Sequence, residues 1–119
     1  MKVCKMAFEI FYLDDEQDLC ENFKDYFSSN EFNITTFTVP EMAIEAVKKT
    51  PPDLIFIDYR LPGMNGDQVA LFMDKEIPKY LITGDHLLTT QYGFVGTVSK
   101  PYRAHEIQSI LDVELENKK

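Results

Sequence analysis

Asp53-Leu54-Ile55-Phe56-Ile57-Asp58-Tyr59-Arg60-Leu61-Pro62-Gly63-Met64-Asn65-Gly66 is the stretch whose reading decides the fold. Leu54 to Ile57 run without polar alternation into a single carboxylate, and the chain then breaks into a Pro/Gly turn. An unalternated run suits a strand covered on both faces, as in a parallel α/β sheet, whereas a strand with one wet face alternates. Ligands of such sheets gather beyond the carboxyl ends of the strands, which is where Asp58 falls. Taken alone, Asp58 reads better as an ordinary turn residue, because Asp and Gly both favour turns. The rest of the chain decides between the two readings.

Upstream, residues 7–13 form a short aromatic and β-rich run that ends in Asp14-Asp15-Glu16, a first strand and an acidic turn. Leu19, Cys20, Phe23, Tyr26 and Phe27 then recur at spacings of three and four, the inward face of a helix over about residues 17–29. Residues 33–39 are rich in Thr, Ile and Phe and read as a second strand. Pro40 suits the first turn of a helix with Ala43, Ala46 and Val47 facing inward, closed by Pro51-Pro52. Downstream of Asp58 the pattern predicts a helix over 65–75 carrying Val69, Phe72 and Met73, a fourth strand over 79–83, and about two turns of helix over 86–92 before Gly93. A fifth strand over 97–99 and a helix from Arg103, with Ala104, Ile107, Ile110, Leu111 and Leu115 at helical spacing, complete the chain. The polar end, 116–119, is expected to fray.

Five strands alternating with five helices call for an α/β doubly wound parallel sheet with helices on both faces. A chain of 119 residues is long enough for one such domain, residues 1–119 with a core of about 6–116, and needs no metal or disulfide to hold it. Cys4 and Cys20 have no metal-ligand spacing and are expected to be free thiols, Cys20 packed on the first helix. Twelve basic against twenty acidic residues give a net charge of -8, which argues against nucleic acid and anionic lipid as partners. With no signal-peptide pattern and no membrane-length apolar window, the expected location is cytoplasmic.

Four polar features fall at the strand ends: Asp14-Asp15 after the first strand, Asp58 after the third, Thr83 after the fourth and Lys100 after the fifth. Three carboxylates on one edge repel each other, and Lys100 is the one nearby cation that the pattern supplies. A divalent ion is the natural remedy. Oxygen-only ligands favour Mg²⁺, Mn²⁺ or Ca²⁺ over zinc, and a few carboxylates with water is how Mg²⁺ is held beside phosphate chemistry, so Mg²⁺ is expected, with Mn²⁺ as the substitute. A carboxylate placed beside a metal, a hydroxyl and an ammonium can attack phosphorus and form an acyl phosphate. Asp58 is then the covalent acceptor.

With these motifs in place the chain resembles the receiver domain of two-component response regulators, over nearly its whole length. The resemblance rests on Leu13-Asp14-Asp15-Glu16, Asp58 to Gly66, Leu81-Ile82-Thr83-Gly84 and Ser99-Lys100-Pro101-Tyr102, in order and at strand ends. It implies a flavodoxin-like sheet of order 2-1-3-4-5, which is carried over from the family and not read from the residues. It implies that Asp58 takes a phosphoryl group from a phosphohistidine of a sensor histidine kinase or phosphotransfer protein. Asp15, Asp58 and the main-chain carbonyl of Arg60 would bind Mg²⁺, with Asp14 assisting through water. Thr83 would hydrogen-bond the phosphoryl group, Lys100 would pair with it, and the Lys100-Pro101 bond would be cis. The protein would be a stand-alone regulatory phosphoacceptor and not an enzyme acting on other substrates. A monomer is expected, with output by contact with a further protein, by competition for phosphate or by relay to another protein.

The chain departs from the family in two respects. Thr97 stands where the family usually has an aromatic residue that swings inward with the Thr, and the intervals from Asp58 to Thr83 and from Thr83 to Lys100 are each shorter by about a turn of helix. The fourth helix is therefore expected to be short or irregular. The signal is expected to leave by another face or through Tyr92, Phe94 or Tyr102. Arg60 and Asp85 are expected to flank the mouth of the site, where an ion pair between them would slow hydrolysis. His86 and His105 read as surface residues. Among alternatives, a haloacid dehalogenase-type phosphatase needs a second Asp where Arg60 stands, and a flavodoxin's phosphate would be repelled by Asp14-Asp15-Glu16. A receiver-like interaction module that is never phosphorylated differs only in whether Asp58 can be modified.

Overall fold

The computed structural model describes residues 7–85 and 88–119. Its elements run β1 (Phe8–Leu13), α1 (Gln17–Phe27), β2 (Phe32–Phe37), α2 (Pro40–Lys49), β3 (Leu54–Asp58), α3 (Gly66–Leu71), β4 (Lys79–Thr83), β5 (Gly96–Ser99) and α4 (Ala104–Lys118). The five strands form one sheet of order β2-β1-β3-β4-β5, with every pair parallel. The unalternated run of β3 is explained by its place at the centre, where every residue of the strand is buried.

Alternation along each strand divides the interior into two cores. Ile10, Tyr12, Leu54, Phe56, Tyr80, Ile82 and Val98 face α1 and α4, meeting Cys20, Phe23 and Phe27 from the one and Ile107 and Leu111 from the other. Phe11, Leu13, Ile55 and Ile57 face α2 and α3, meeting Ala43, Val47, Val69 and Ala70. Both faces are therefore covered, as a parallel sheet requires.

Several sequence expectations need correction. No helix forms among the described residues between β4 and β5; residues 88–95 run as an irregular strap, and His86 and Leu87 lie outside the described residues. Tyr92 and Phe94 from this strap pack on the α2/α3 core in place of a helix. The strap is tied at its base by Lys79, which is 1% exposed; its ammonium donates to the carbonyls of Asp74 (2.6 Å) and Ile77 (3.0 Å) and to the Tyr92 hydroxyl (2.9 Å). Three donors meet three acceptors, which is the condition for burying an ammonium. The third helix is shorter than expected, ending at Leu71, so that Phe72 is exposed while Met73 still packs inward. Tyr26, expected on the buried face of the first helix, is also exposed. The last helix does not fray at 116 but runs to Lys118, whose ammonium pairs with Asp53 at the start of the β3 segment. Cys20 is a free, buried thiol, and Cys4 lies outside the described residues.

Candidate functional site

The strand alternation that builds the α1/α4 core also aims the site. Asp14 follows Tyr12 by two residues, Asp58 follows Phe56 by two and Lys100 follows Val98 by two, so all three continue the same face of the sheet past its carboxyl edge. They meet there. Lys100 Nζ lies 2.9 Å from Asp58 Oδ1 and 3.0 Å from Asp14 Oδ2. Asp14 is fully buried and Asp58 is 5% exposed, while Asp15 is exposed on the rim. One carboxylate oxygen from each of Asp14, Asp15 and Asp58 lies within 4.8 Å of the others. The sequence-predicted acidic cluster is thus assembled in space.

Thr83 ends β4 one residue beyond the Asp58–Ile82 register pair and is buried. Its Oγ1 accepts a hydrogen bond from the Asp85 N–H at 3.0 Å, which fixes the hydroxyl as an acceptor from its own loop and leaves its proton to give. The Thr83 carbonyl accepts from Lys100 N–H at 2.9 Å, tying the base of the lysine to β4, and the Lys100-Pro101 peptide is cis. Beyond Asp58, Tyr59 N–H donates to Ile82 O and Gly66 N–H returns to Tyr59 O, both within 2.9 Å. Arg60 forms an isolated bridge with Asn65, closing a loop whose Gly63 has φ +80, a left-handed conformation that glycine adopts without strain. Asn65 and Gln68 then cap α3 reciprocally. Gly66 packs so closely that a Cβ there would lie 3.1 Å from Asp58 O and 2.8 Å from a Leu81 methyl.

Burial dominates the electrostatics of Asp58. The carboxyl stands at about 6 in place of 3.8 as the net of several effects: burial pushes it up most, the hydrogen bond and charge of Lys100 pull it down, and Asp14 and Asp15 push it up. Lys100 shows the opposite balance: burial alone would lower its ammonium, but the bonds to Asp58 and Asp14 outweigh it and raise it. The donor set consists of oxygens alone, with charge beyond what one ammonium balances, and it fits a hard divalent cation.

The site also contains a residue that sequence reasoning missed. Tyr12, fully buried, donates its hydroxyl to Asp14 Oδ2 at 3.3 Å and lies 3.0 Å from the Tyr102 hydroxyl. Burial holds the Tyr12 phenol protonated well beyond its ordinary range. The signal was present in the alternation, since a polar-tipped side chain two residues before Asp14 must share its face. One expectation does not come together: among the described residues Arg60 forms no ion pair with Asp85. Tyr92 accepts from the Lys79 ammonium at the base of the strap. His105 is exposed, as expected.

Comparison with known proteins agrees with this geometry. The family described as response regulator receiver domain matches residues 10–112. The transcriptional regulatory protein BaeR of Escherichia coli O6:H1 is 30% identical over 82% of this chain and 44% of its own length, and the DNA-binding response regulator MtrA of Mycolicibacterium smegmatis is 29% identical over 86% and 48%. The chain thus spans about half the length of the curated relatives it matches. Among solved structures, a CheY-like response regulator receiver domain from Methylobacillus flagellatus superposes with a TM-score of 0.81 at 20% identity, covering 92% of this chain and 99% of that one, a likeness of fold. No helix among the described residues is long and apolar enough to cross a membrane.

Proposed function

The chain belongs to the response regulator receiver domain family of two-component signal transduction, and on that premise we propose that it is a phosphoacceptor whose Asp58 takes a phosphoryl group from the phosphohistidine of a sensor kinase or phosphotransfer protein. The observation that carries the reading is the single ammonium of Lys100 held between Asp58 Oδ1 and Asp14 Oδ2, with Asp15 beside them. An Asp oxygen attacks phosphorus, the new P–O bond forms as the P–N bond to the donor imidazole breaks, and the imidazole leaves as the neutral base after protonation. Lys100 is already within reach of the atoms that would carry the added charge, and the Thr83 hydroxyl has a proton to donate to a phosphoryl oxygen.

Asp15 and Asp58, with the main-chain carbonyl of Arg60 and with Asp14 behind them, are the groups that would hold Mg²⁺, or Mn²⁺ in its place. When bound, the ion neutralises excess carboxylate charge, so that a phosphoryl group of about -1.5 to -2 is accepted where the bare cluster repels it. The protein would work in the cytoplasm, as a regulator and not as an enzyme on other substrates, and pass its state to a further protein. The acid/base Asp of a haloacid dehalogenase-type phosphatase would stand at Arg60, which disfavours that chemistry.

The test is incubation with Mg²⁺ and acetyl phosphate followed by intact-mass measurement. One phosphoryl group on the native chain and none on Asp58→Asn is the expected result. No addition to the native chain identifies an interaction module that is not phosphorylated, and equal addition to Asp58→Asn moves the acceptor elsewhere.

A further inference from the structure

Both oxygens of the buried Asp14 carboxylate are engaged. Oδ1 accepts from the Glu16 N–H at 3.0 Å, and Oδ2 accepts from Lys100 Nζ at 3.0 Å and from the Tyr12 hydroxyl at 3.3 Å. A phenol has one proton to donate and a carboxylate only accepts. The Tyr12 proton is therefore given to Asp14, and the Tyr102 hydroxyl, 3.0 Å away, must be the donor to Tyr12. The result is a directed chain, Tyr102 to Tyr12 to Asp14, that ends on the oxygen shared with Lys100. Its outer end is accessible: Tyr102 stands edge-on to Phe23 and lines a cleft of about 450 Å³ between α1 and α4, together with Tyr26 and Asp25.

We propose that Tyr12 is a positioning residue of the phosphoacceptor site and that it passes the state of Lys100 to Tyr102 at the α1–α4 cleft. The proposal rests on the phosphoacceptor reading above. Lys100 is divided between Asp58 and Asp14, and a phosphoryl group on Asp58 offers it more negative charge than the bare carboxylate did. As the ammonium turns toward that group, Asp14 Oδ2 is left with Tyr12 as its remaining side-chain donor. The Tyr12 contact is long for an O–H···O bond, which ordinarily spans about 2.5–3.0 Å, so it has room to shorten. Shortening it draws the phenol away from Tyr102, whose own hydrogen bond must follow or break. Tyr12 is also stacked on Phe23 of α1, with ring centroids 4.1 Å apart, so the movement is felt by the helix that forms the other wall of the cleft. This route needs no aromatic residue at Thr97, which is exposed.

A purely structural Tyr12 would need only its ring, and Tyr12→Phe keeps that ring on Phe23 while removing the hydroxyl. The experiment labels tyrosine at Cζ with ¹³C, adds Mg²⁺ and then beryllofluoride as a phosphoryl mimic, and follows the Tyr12 and Tyr102 resonances, assigned with Tyr12→Phe and Tyr102→Phe. Both resonances shift in the native chain. In Tyr12→Phe the Tyr102 shift is lost and phosphorylation by acetyl phosphate slows about threefold to tenfold, the scale of one ordinary hydrogen bond, because this phenol–carboxylate contact is long. In Tyr102→Phe the Tyr12 shift persists. The proposal is overturned if Asp58 is phosphorylated in the native chain yet Tyr102 does not respond, or if Tyr102 responds equally in Tyr12→Phe. A native chain that takes no phosphoryl group at all overturns the phosphoacceptor reading itself, and this inference with it.

Discussion

The 2.9 Å contact between Lys100 Nζ and Asp58 Oδ1 joins the ends of β5 and β3, two strands that are not neighbours in the sheet. It passes over the end of β4, where Thr83 lies. One ammonium thus compensates carboxylates from two strands, and nearly every property of the site depends on it.

Replacing Lys100 with Met keeps the unbranched stem, one atom shorter, and removes that compensation. The buried Asp14 and Asp58 then face each other without a cation, and stability falls by about 1–3 kcal/mol near neutral pH in the absence of divalent ions. Urea unfolding with and without Mg²⁺ measures this. Most of the loss is recovered on adding Mg²⁺, whereas phosphorylation of Asp58 stays at least about tenfold slower, because the missing ammonium acts on the phosphoryl oxygens.

The raised Asp58 carboxyl sets the pH dependence. Between 3.8 and about 6 the folded protein holds this proton more tightly than the unfolded chain does, so stability falls as pH rises through that window and the full penalty stands above it. At about 1.4 kcal/mol per pH unit the penalty is on the order of 3 kcal/mol. Asp58→Asn escapes it. Without divalent ions, the stability advantage of Asp58→Asn over the native chain grows from about pH 4 to about pH 7, and Mg²⁺ narrows it. A difference that stays flat over that range would show that Asp58 is not held in this environment.

Asp15 is the exposed member of the cluster and contributes little to the fold. Asp15→Asn therefore leaves thermal unfolding without metal nearly unchanged. It weakens Mg²⁺ binding by about tenfold or more, equivalent to about 1.4 kcal/mol. The stabilisation that Mg²⁺ gives the native chain, which follows from its preference for the folded state, shrinks accordingly. Calorimetric titration and thermal melts read the two quantities separately.

The strap that replaces a helix between β4 and β5 is held by Lys79. Tyr92→Phe removes one of the three acceptors of that ammonium and leaves a buried donor unmet, at a cost of about 1–3 kcal/mol. Hydrogen exchange speeds up in residues 88–95, while Asp58, which pairs with Ile82 at the other end of β4 from Lys79, is phosphorylated as in the native chain.

The sequence made the acidic edge legible for a physical reason. Asp14, Asp58 and Thr83 each stop an apolar run, Lys100 follows a short fifth strand, and a parallel sheet gathers such strand ends on one side. The strand over 79–83 is legible to the residue because Gly84 ends it abruptly. The strap was less legible: about two turns of helical spacing before Gly93 cannot be told from a loop whose aromatic residues happen to pack, and its anchor, Lys79, looks in sequence like the solvated start of a strand. Tyr26 and Phe72 fall at helical spacing yet are exposed, because apolar periodicity marks a face without showing how far the neighbouring element extends to cover it. Tyr12 was visible as a core aromatic, but its hydroxyl acquired a role only once β1 and α4 placed Asp14 and Tyr102 beside it.

The claim that Asp58 is the acceptor is tested most directly by trapping the acyl phosphate. After incubation with Mg²⁺ and acetyl phosphate, borohydride reduces an aspartyl phosphate to homoserine, and peptide mapping locates the reduced residue. Homoserine at position 58, dependent on Mg²⁺, is the result expected from the buried carboxylate held by Lys100. Homoserine at position 14 or 15, or none anywhere in a chain that carries phosphate, would contradict it.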